Sequence, residues 1–256
     1  LKKGKRVKRI LLTNDDGIHS PGLEVLKKEL SELGRVTVIV PANDRSTVSH
    51  SITLRHPLRI TRIKEDVFTT TGTPSDCVII AIFDIFRRKP DLVVSGINKG
   101  PNLGDDITYS GTVAASIEAT LRGVASFAIS VASFKNCRYD VAGRFGRKLA
   151  EYIFEKGLPQ DTFLNVNIPN VPLQKIKGVR ITHLGRRIYR DKLIRRKDPH
   201  GEIYYWLGGE KPTDELEPGT DCSAVRCKYI SVTPVHLDLT NYRALDILRK
   251  WRIKFP

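Results

Sequence analysis

Apolar residues recur along this chain with a period that changes from segment to segment, and the changes mark out elements. Residues 8–13 end in the run Ile10-Leu11-Leu12, short and bounded by polar residues, as a strand is. Ser20 and Pro21 have the chemistry of a helix N-cap and first helical position. Leu23, Leu26, Leu30 and Leu33 follow at helical spacing until Gly34. Val36-Thr37-Val38-Ile39-Val40 reads as a second strand, closed by Pro41. A strand, a helix and a second strand in this order predict parallel pairing through a right-handed crossover.

The alternation continues. A polar loop from Ala42 to Ser51 and a hairpin-like stretch from Ile52 to Thr71 precede a helix over 76–86 with Thr73 or Ser75 as its cap. Residues 91–95 centre on the continuous apolar run Leu92-Val93-Val94, as in a central parallel strand buried on both faces. They run into a long glycine-rich loop ending at Asp106. A helix from Val113 to Arg122, opened by Tyr109-Ser110-Gly111-Thr112, then strand 125–131, helix 141–156 and strand 163–168 complete the layered part. The remainder reads as extended structure over 178–207, a short strand over 229–234 and a helix over 241–251. The expected fold is α/β, a Rossmann-like three-layer sandwich with a mostly parallel sheet. Residues 7–180 form its catalytic core, and 181–256 supply a protruding β-hairpin arm, a returning strand and a C-terminal helix used in oligomerisation.

Composition changes this picture little. With 256 residues, 40% of them apolar, the chain can bury the core of one large domain or of a domain with an appendage. Cys77, Cys137, Cys222 and Cys227 fall in no metal or redox spacing and are expected as free thiols. No stretch is apolar enough for a signal-peptide core or a membrane span, which predicts a cytoplasmic protein. The net charge of +15 is concentrated in two places, the leader Leu1 to Arg9 and the segment Arg180 to Lys197. The second cluster has Tyr189, Tyr204, Tyr205 and Trp206 in or beside it, a mixture that suits single-stranded nucleic acid and equally an exposed hairpin or subunit contact. Dense charge is also a habit of hyperthermophile proteins.

The candidate chemistry lies in the loops. Asn14-Asp15-Asp16-Gly17 follows the first strand, where open α/β sheets bind ligands; it reads either as a turn or as a site with hard oxygen donors for a divalent cation. Three loops, 14–16, 43–50 and 96–111, are expected at one sheet edge. They offer carboxylates, a hydroxyl, amides and glycines, and Ser110-Gly111-Thr112 opens a helix whose N-H groups can cradle phosphate. The Walker A, dinucleotide-binding, H-E-x-x-H and G-x-S-x-G patterns are all absent. Metal-assisted hydrolysis of a phosphate ester is the chemistry that survives.

At this point four stretches carry a resemblance: ILLTNDDGIHSPG (10–22), RSTVSHSITL (45–54), GTPSDCV (72–78) and VSGINKGPNLGDDITYSGTVAA (94–115). With NVNIP (165–169) and SVTP (231–234), they closely resemble the SurE, or survival protein E, nucleotidases over nearly the whole chain. The resemblance implies a phosphatase for nucleoside 5′- and 3′-monophosphates, some members of the family also trimming short polyphosphate. It implies one divalent cation per subunit, Mg²⁺ or Mn²⁺ first and Ca²⁺ or others in crystals, held by Asp15, Asp16, Ser46 and Asn98. Asn102, Ser110, Gly111 and Thr112 would face the phosphate, with Asn14 supporting the loop on the same side. The family also implies dimers that exchange C-terminal segments, and hairpins that join dimers into tetramers. Thr13, where serine is common, and Ala125, where proline is common, depart from the pattern without removing a ligand.

Asp15 and Asp16 are the expected catalytic carboxylates, one of them orienting an attacking water or accepting its proton. An aspartyl-phosphate intermediate is the rival mechanism. His19 and His50 stand near these loops with either a catalytic or a structural role open, and Asp105 with Asp106 is expected to order its loop or to meet a neighbouring subunit. Two other functions remain: an exopolyphosphatase using the same site, and a basic nucleic-acid-binding protein without turnover.

Overall fold

The computed structural model describes residues 6–256 except positions 87, 210, 211, 216, 254 and 256, so the first five residues of the basic leader lie outside the described residues. Its first unit is β1 (Lys8–Thr13), α1 (Pro21–Ser31) and β2 (Gly34–Pro41), and β1 pairs with β2 in parallel. Next come β3 (Ile60–Lys64), β4 (Val67–Thr70) and α2 (Pro74–Ile80), which ends in a wider π-helical turn at Ala81–Ile85. β5 (Leu92–Lys99), α3 (Gly111–Leu121), β6 (Ser126–Val131), α4 (Tyr139–Lys156) and β7 (Thr162–Ile168) continue the alternation. The remainder consists of β8 (Val179–Ile181), β9 (Arg187–Ile188), β10 (Asp191–Lys197), β11 (Ile203–Gly209), β12 (Thr213–Asp214), α5 (Asp221–Arg226), β13 (Ile230–His236) and α6 (Tyr242–Arg249).

Nine strands form one sheet in the order β3-β4-β2-β1-β5-β6-β7-β13-β8. All pairings are parallel except β3 with β4 and β13 with β7. The strand order reverses between β1 and β5, since the chain leaves β1 toward β2 and returns on the other side. Such a reversal opens a crevice at the carboxyl ends of the two strands.

The alternation of β1 explains the three layers. Ile10 and Leu12 join Leu23, Leu26, Val141 and Ala150 on the face covered by α1 and α4. Leu11 points the other way, into the cluster of Ile39, Cys77, Val78, Val93, Ala115 and Ala119 under α2 and α3. No helix among the described residues is long and apolar enough to cross a membrane. The four cysteines are unpaired, with Cys77 and Cys222 buried.

Thr73 is the cap of α2: its hydroxyl accepts from the Asp76 N-H, and the Asp76 carboxylate accepts from the Thr73 N-H. The same carboxylate accepts from Thr53 N-H (3.0 Å) and Thr53 Oγ1 (2.7 Å), which holds the stretch before β3 without a ladder. Pairing within the expected 52–71 hairpin is therefore confined to β3 and β4. β5 runs four residues beyond the expected 91–95, because Asn98 and Lys99 still pair with Ser130 and Val131 of β6 past an irregularity at Gly96. This extension puts Asn98 at a strand end and not in mid-loop.

In the last third, β10 and β11 pair with each other as a separate two-stranded antiparallel sheet in which Arg195 faces Tyr205 and Arg196 faces Tyr204. β13 returns to the main sheet between β7 and β8. No residue of α6 is buried, although Leu248 and Ile247 lie on it.

Close approach of α1 to β5 sets the crevice floor. A Cβ on Gly22 would lie 2.3 Å from the Ile97 carbonyl oxygen. Gly22→Ala gains about 1 kcal/mol of helix propensity, yet overpacking against backbone costs more. A net loss of about 1–3 kcal/mol is expected from the urea midpoint, and an unchanged or raised midpoint would contradict the close packing.

Candidate active site

The end of β1 is shaped by its own loop. Asn14 is fully buried and closes a ring with Gly17, its Nδ2 donating to Gly17 O (2.9 Å) and its Oδ1 accepting from Gly17 N-H (3.1 Å). Gly17 holds φ at +87°, which a side chain disfavours. The tight turn leaves Asp15 and Asp16 side by side above the crevice.

Asp15 is clamped to α3. Its Oδ1 accepts from Thr112 Oγ1 at 2.6 Å and its Oδ2 from the Thr112 N-H at 3.1 Å. Ser110 caps the same helix by accepting from Val113 N-H (3.1 Å). Gly111 makes room, since a Cβ there would lie 3.0 Å from the Asp15 side chain.

The loop after β2 is stitched to both neighbours. Arg45 N-H donates to Asp15 O (2.9 Å), Ser49 N-H to Tyr109 O (3.0 Å) and Ser49 Oγ to Thr108 O (2.7 Å). His50 Nε2 lies 2.9 Å from Glu118 Oε2, and Arg122 Nε donates to the other oxygen of the same carboxylate (2.7 Å). Ser46 Oγ donates to Asp44 Oδ1 (2.6 Å), so its lone pairs remain to accept or ligate.

Asp15, Asp16, Ser46, Asn98, Asn102 and Ser110 thus border one cavity of about 560 Å³. Asn98 spends its Nδ2 on Gly100 O (2.9 Å). Asn102 is fixed from behind: its N-H donates to Asn167 Oδ1 (2.9 Å), its Nδ2 to Ser130 Oγ (2.9 Å), and its carbonyl accepts from both Asn165 and Asn167 Nδ2 (2.8 Å each). Three expected site residues do not border the cavity. Asn14 is the turn's brace, Gly111 is the gap beside Asp15, and Thr112 spends its side chain on Asp15.

Burial pushes the Asp15 carboxyl up to about 6, against the Thr112 hydroxyl that favours the charged form, and the neighbouring Asp16 charge adds to the rise. Asp16 is also raised, by burial and then by Asp44, with the Lys99 backbone and the Ser20 hydroxyl opposing. Neither forms an ion pair with a described residue. Glu118 is held below the usual carboxylate range by His50, with burial opposing and Arg122 assisting.

Those two strained carboxylates, with a hydroxyl and an amide beside them, are a hard-oxygen set that suits a small divalent cation. Among the described residues no three His, Cys, Asp or Glu side chains converge. A cation here would therefore depend on Ser46 and Asn98 as well as on the pair.

Several residues that the sequence left without a role matter to this geometry. Asn165 and Asn167 stand two apart on a strand with both amides turned to Asn102, and that N-x-N spacing on a buried strand was the available signal. Asp221 accepts from Gly104 N-H and Gly185 N-H (2.8 Å each), joining the loop after β5 to the root of the arm. Asp106 is engaged by Arg187 and the Tyr189 hydroxyl, so it orders its loop against the arm of its own chain. His19 borders a separate cavity with Ile63 and Lys64, and neither histidine borders the main one.

The family described as Survival protein SurE matches residues 10–191. A 5′-nucleotidase SurE of Geobacter sulfurreducens is 49% identical over 243 residues, covering 94% of this chain and 93% of its own. One from Geotalea daltonii is 48% identical over 246 residues, covering 96% and 99%. The crystal structure of the SurE protein from Aquifex aeolicus superposes with a TM-score of 0.86 at 42% identity, over 96% of this chain and 100% of that one. The carboxylate pair at the sheet reversal, the capped α3 above it and likeness over almost the full length agree on one conclusion: the chain belongs to the SurE family.

Proposed function

We propose that this protein is a divalent-metal-dependent phosphatase of nucleoside 5′-monophosphates, acting also on 3′-monophosphates, with short polyphosphate as a further substrate of the same site. The convergence of Asp15, Asp16, Ser46, Asn98, Asn102 and Ser110 on one cavity is the observation that carries this reading. The names of the relatives, 5′-nucleotidase SurE, support it.

Asp15, Asp16, Ser46 and Asn98 would hold one cation, Mg²⁺ or Mn²⁺ by donor type, which when bound neutralises phosphate oxygens and acidifies a water. The Ser110 hydroxyl and the N-H of Gly111 at the start of α3 would receive the phosphate at the positive end of the helix, the Thr112 and Val113 N-H groups being taken by Asp15 and Ser110. Asn102 reaches the same space with its backbone anchored by β7.

The two aspartates divide the work. Both oxygens of Asp15 are committed to Thr112, so it is the fixed member of the pair. Asp16 has no such clamp, its neighbours being the Lys99 backbone and Ser20 Oγ at 3.5 Å, and is the carboxylate able to turn toward a water and accept its proton. The water oxygen then bonds to phosphorus in line as the bond to the nucleoside oxygen breaks, and the nucleoside leaves with a proton from solvent. His50 is withheld from this chemistry by its bond to Glu118.

Exposed apolar side chains on the arm and on α6, including Leu193, Leu207, Tyr242 and Ile247, support a homodimer or homotetramer.

Phosphate release from a nucleotide panel should require added Mg²⁺ or Mn²⁺ and stop in chelator; a basic nucleic-acid-binding protein would release none. Asp15→Asn should lower kcat roughly a hundredfold or more while the fold is retained, and near-wild-type turnover would overturn the assignment. Thr112→Val removes one of the two bonds that aim Asp15 and should cost roughly tenfold in kcat. Thr112→Ser, which keeps the hydroxyl, should restore the rate. Light scattering at micromolar concentration should give a dimer or larger species, and a monomer would count against the oligomer.

A further inference from the structure

Glu118 is a buried carboxylate that the reaction above does not use. It lies on α3, the helix that begins beside Asp15, and its side chain is 5% exposed. One oxygen meets His50 Nε2 at 2.9 Å and the other accepts from Arg122 Nε at 2.7 Å. Arg122 is itself seated over the Phe83 ring in the turn after α2, 5.3 Å from its centre. His50 and Arg122 together hold the carboxyl below its usual range against burial, so Glu118 is a fixed negative charge at neutral pH.

The loop that meets this charge is poorly able to hold itself. Thr47 and Ser49 both have φ at +57°, a left-handed backbone that residues with a side chain disfavour. Ser46, Thr47 and Ser49 are exposed, so packing does not fix them. Backbone of this kind persists only where its surroundings impose it. On one side of Ser46 the tie is Arg45 N-H to the Asp15 carbonyl; on the other, Ser49 bonds to Thr108 and Tyr109, and His50 meets Glu118. Helix α3 therefore holds two members of the site at once. Its first turn clamps Asp15 through Thr112, and its body reaches the Ser46 loop through Glu118.

We infer that Glu118 is a positioning residue for the cation site: through His50 it holds the left-handed loop that presents Ser46, so that α3 sets where Ser46 stands relative to Asp15. The inference rests on the metal-dependent reading above and deepens it. Glu118 touches neither cation nor substrate, and its effect is on metal affinity.

Mn²⁺ titration by calorimetry reads the site without turnover. His50 is at the surface, and His50→Ala should weaken Mn²⁺ binding roughly tenfold, the scale of a lost outer-shell support. His50→Gln, whose amide nitrogen can still reach Glu118, should recover most of the affinity. Turnover of His50→Ala should return toward the wild-type kcat when Mn²⁺ is raised, since only the loading of the site has changed. Ser46→Ala should weaken binding by itself, and adding His50→Ala to it should cost little more, because both act through one ligand. In the metal-free protein, amide hydrogen exchange over residues 45–49 should be faster in His50→Ala than in the wild type. Unchanged Mn²⁺ affinity in His50→Ala, or a tenfold loss that persists in the Ser46→Ala background, overturns the inference. If the wild type binds no Mn²⁺, the metal-dependent reading fails by itself, and the exchange rates of the metal-free proteins decide whether Glu118 holds the loop.

Discussion

A carboxylate withdrawn from water must be hydrogen-bonded, paired or protonated, and the site of this protein is organised around how Asp15 meets that constraint. Both of its oxygens take donors from Thr112, one from the side chain and one from the backbone at the start of α3. The clamp locks the end of β1 to the start of α3, and the Arg45 bond to the Asp15 carbonyl adds the loop after β2. A strand end, a helix end and a loop are thereby held in one geometry by a single residue. The remaining electrostatic cost, a carboxyl raised to about 6 beside a second raised carboxyl, is what a cation would relieve.

Much of the frame was legible because it rests on local rules. The periodicity of Leu23, Leu26 and Leu30, the Ser20-Pro21 start and the apolar runs within 36–40 and 91–95 each reflect burial of one face or of both, which a sequence states directly. The loops that meet at the sheet edge followed from the parallel order. What stayed hidden depends on pairing between distant segments. The extension of β5 to Lys99 is decided by hydrogen bonds to β6, and the role of Thr112 by an aspartate 97 residues away. α5 escaped notice because six residues give too little of a 3.6-residue period to read, although Thr220 caps it.

Second-layer groups were the least visible. Asn165, Asn167, Glu118 and Asp221 are all buried, and a buried polar residue in a sequence is indistinguishable from an exposed one of the same type. Each becomes intelligible once its partners are known: the asparagines hold Asn102, Glu118 holds the His50 loop, and Asp221 holds Gly104. Together they form a layer that never reaches the cavity and yet fixes the loops that do, as supporting shells of preorganised sites do.

The arm divides into a root and a tip. At the root, Gly185 is tied to Asp221, and Arg187 and Tyr189 to Asp106, while a Cβ on Gly104 would stand 2.5 Å from the Gly185 carbonyl oxygen. From Lys192 to Trp206 the two strands bond chiefly to each other. Drift in length and composition can therefore accumulate at the tip while the root stays bound to the active-site loop. A chimera carrying the hairpin of a relative has its natural junctions just beyond Tyr189 and before Leu207, where neither cut crosses the ties to the loop.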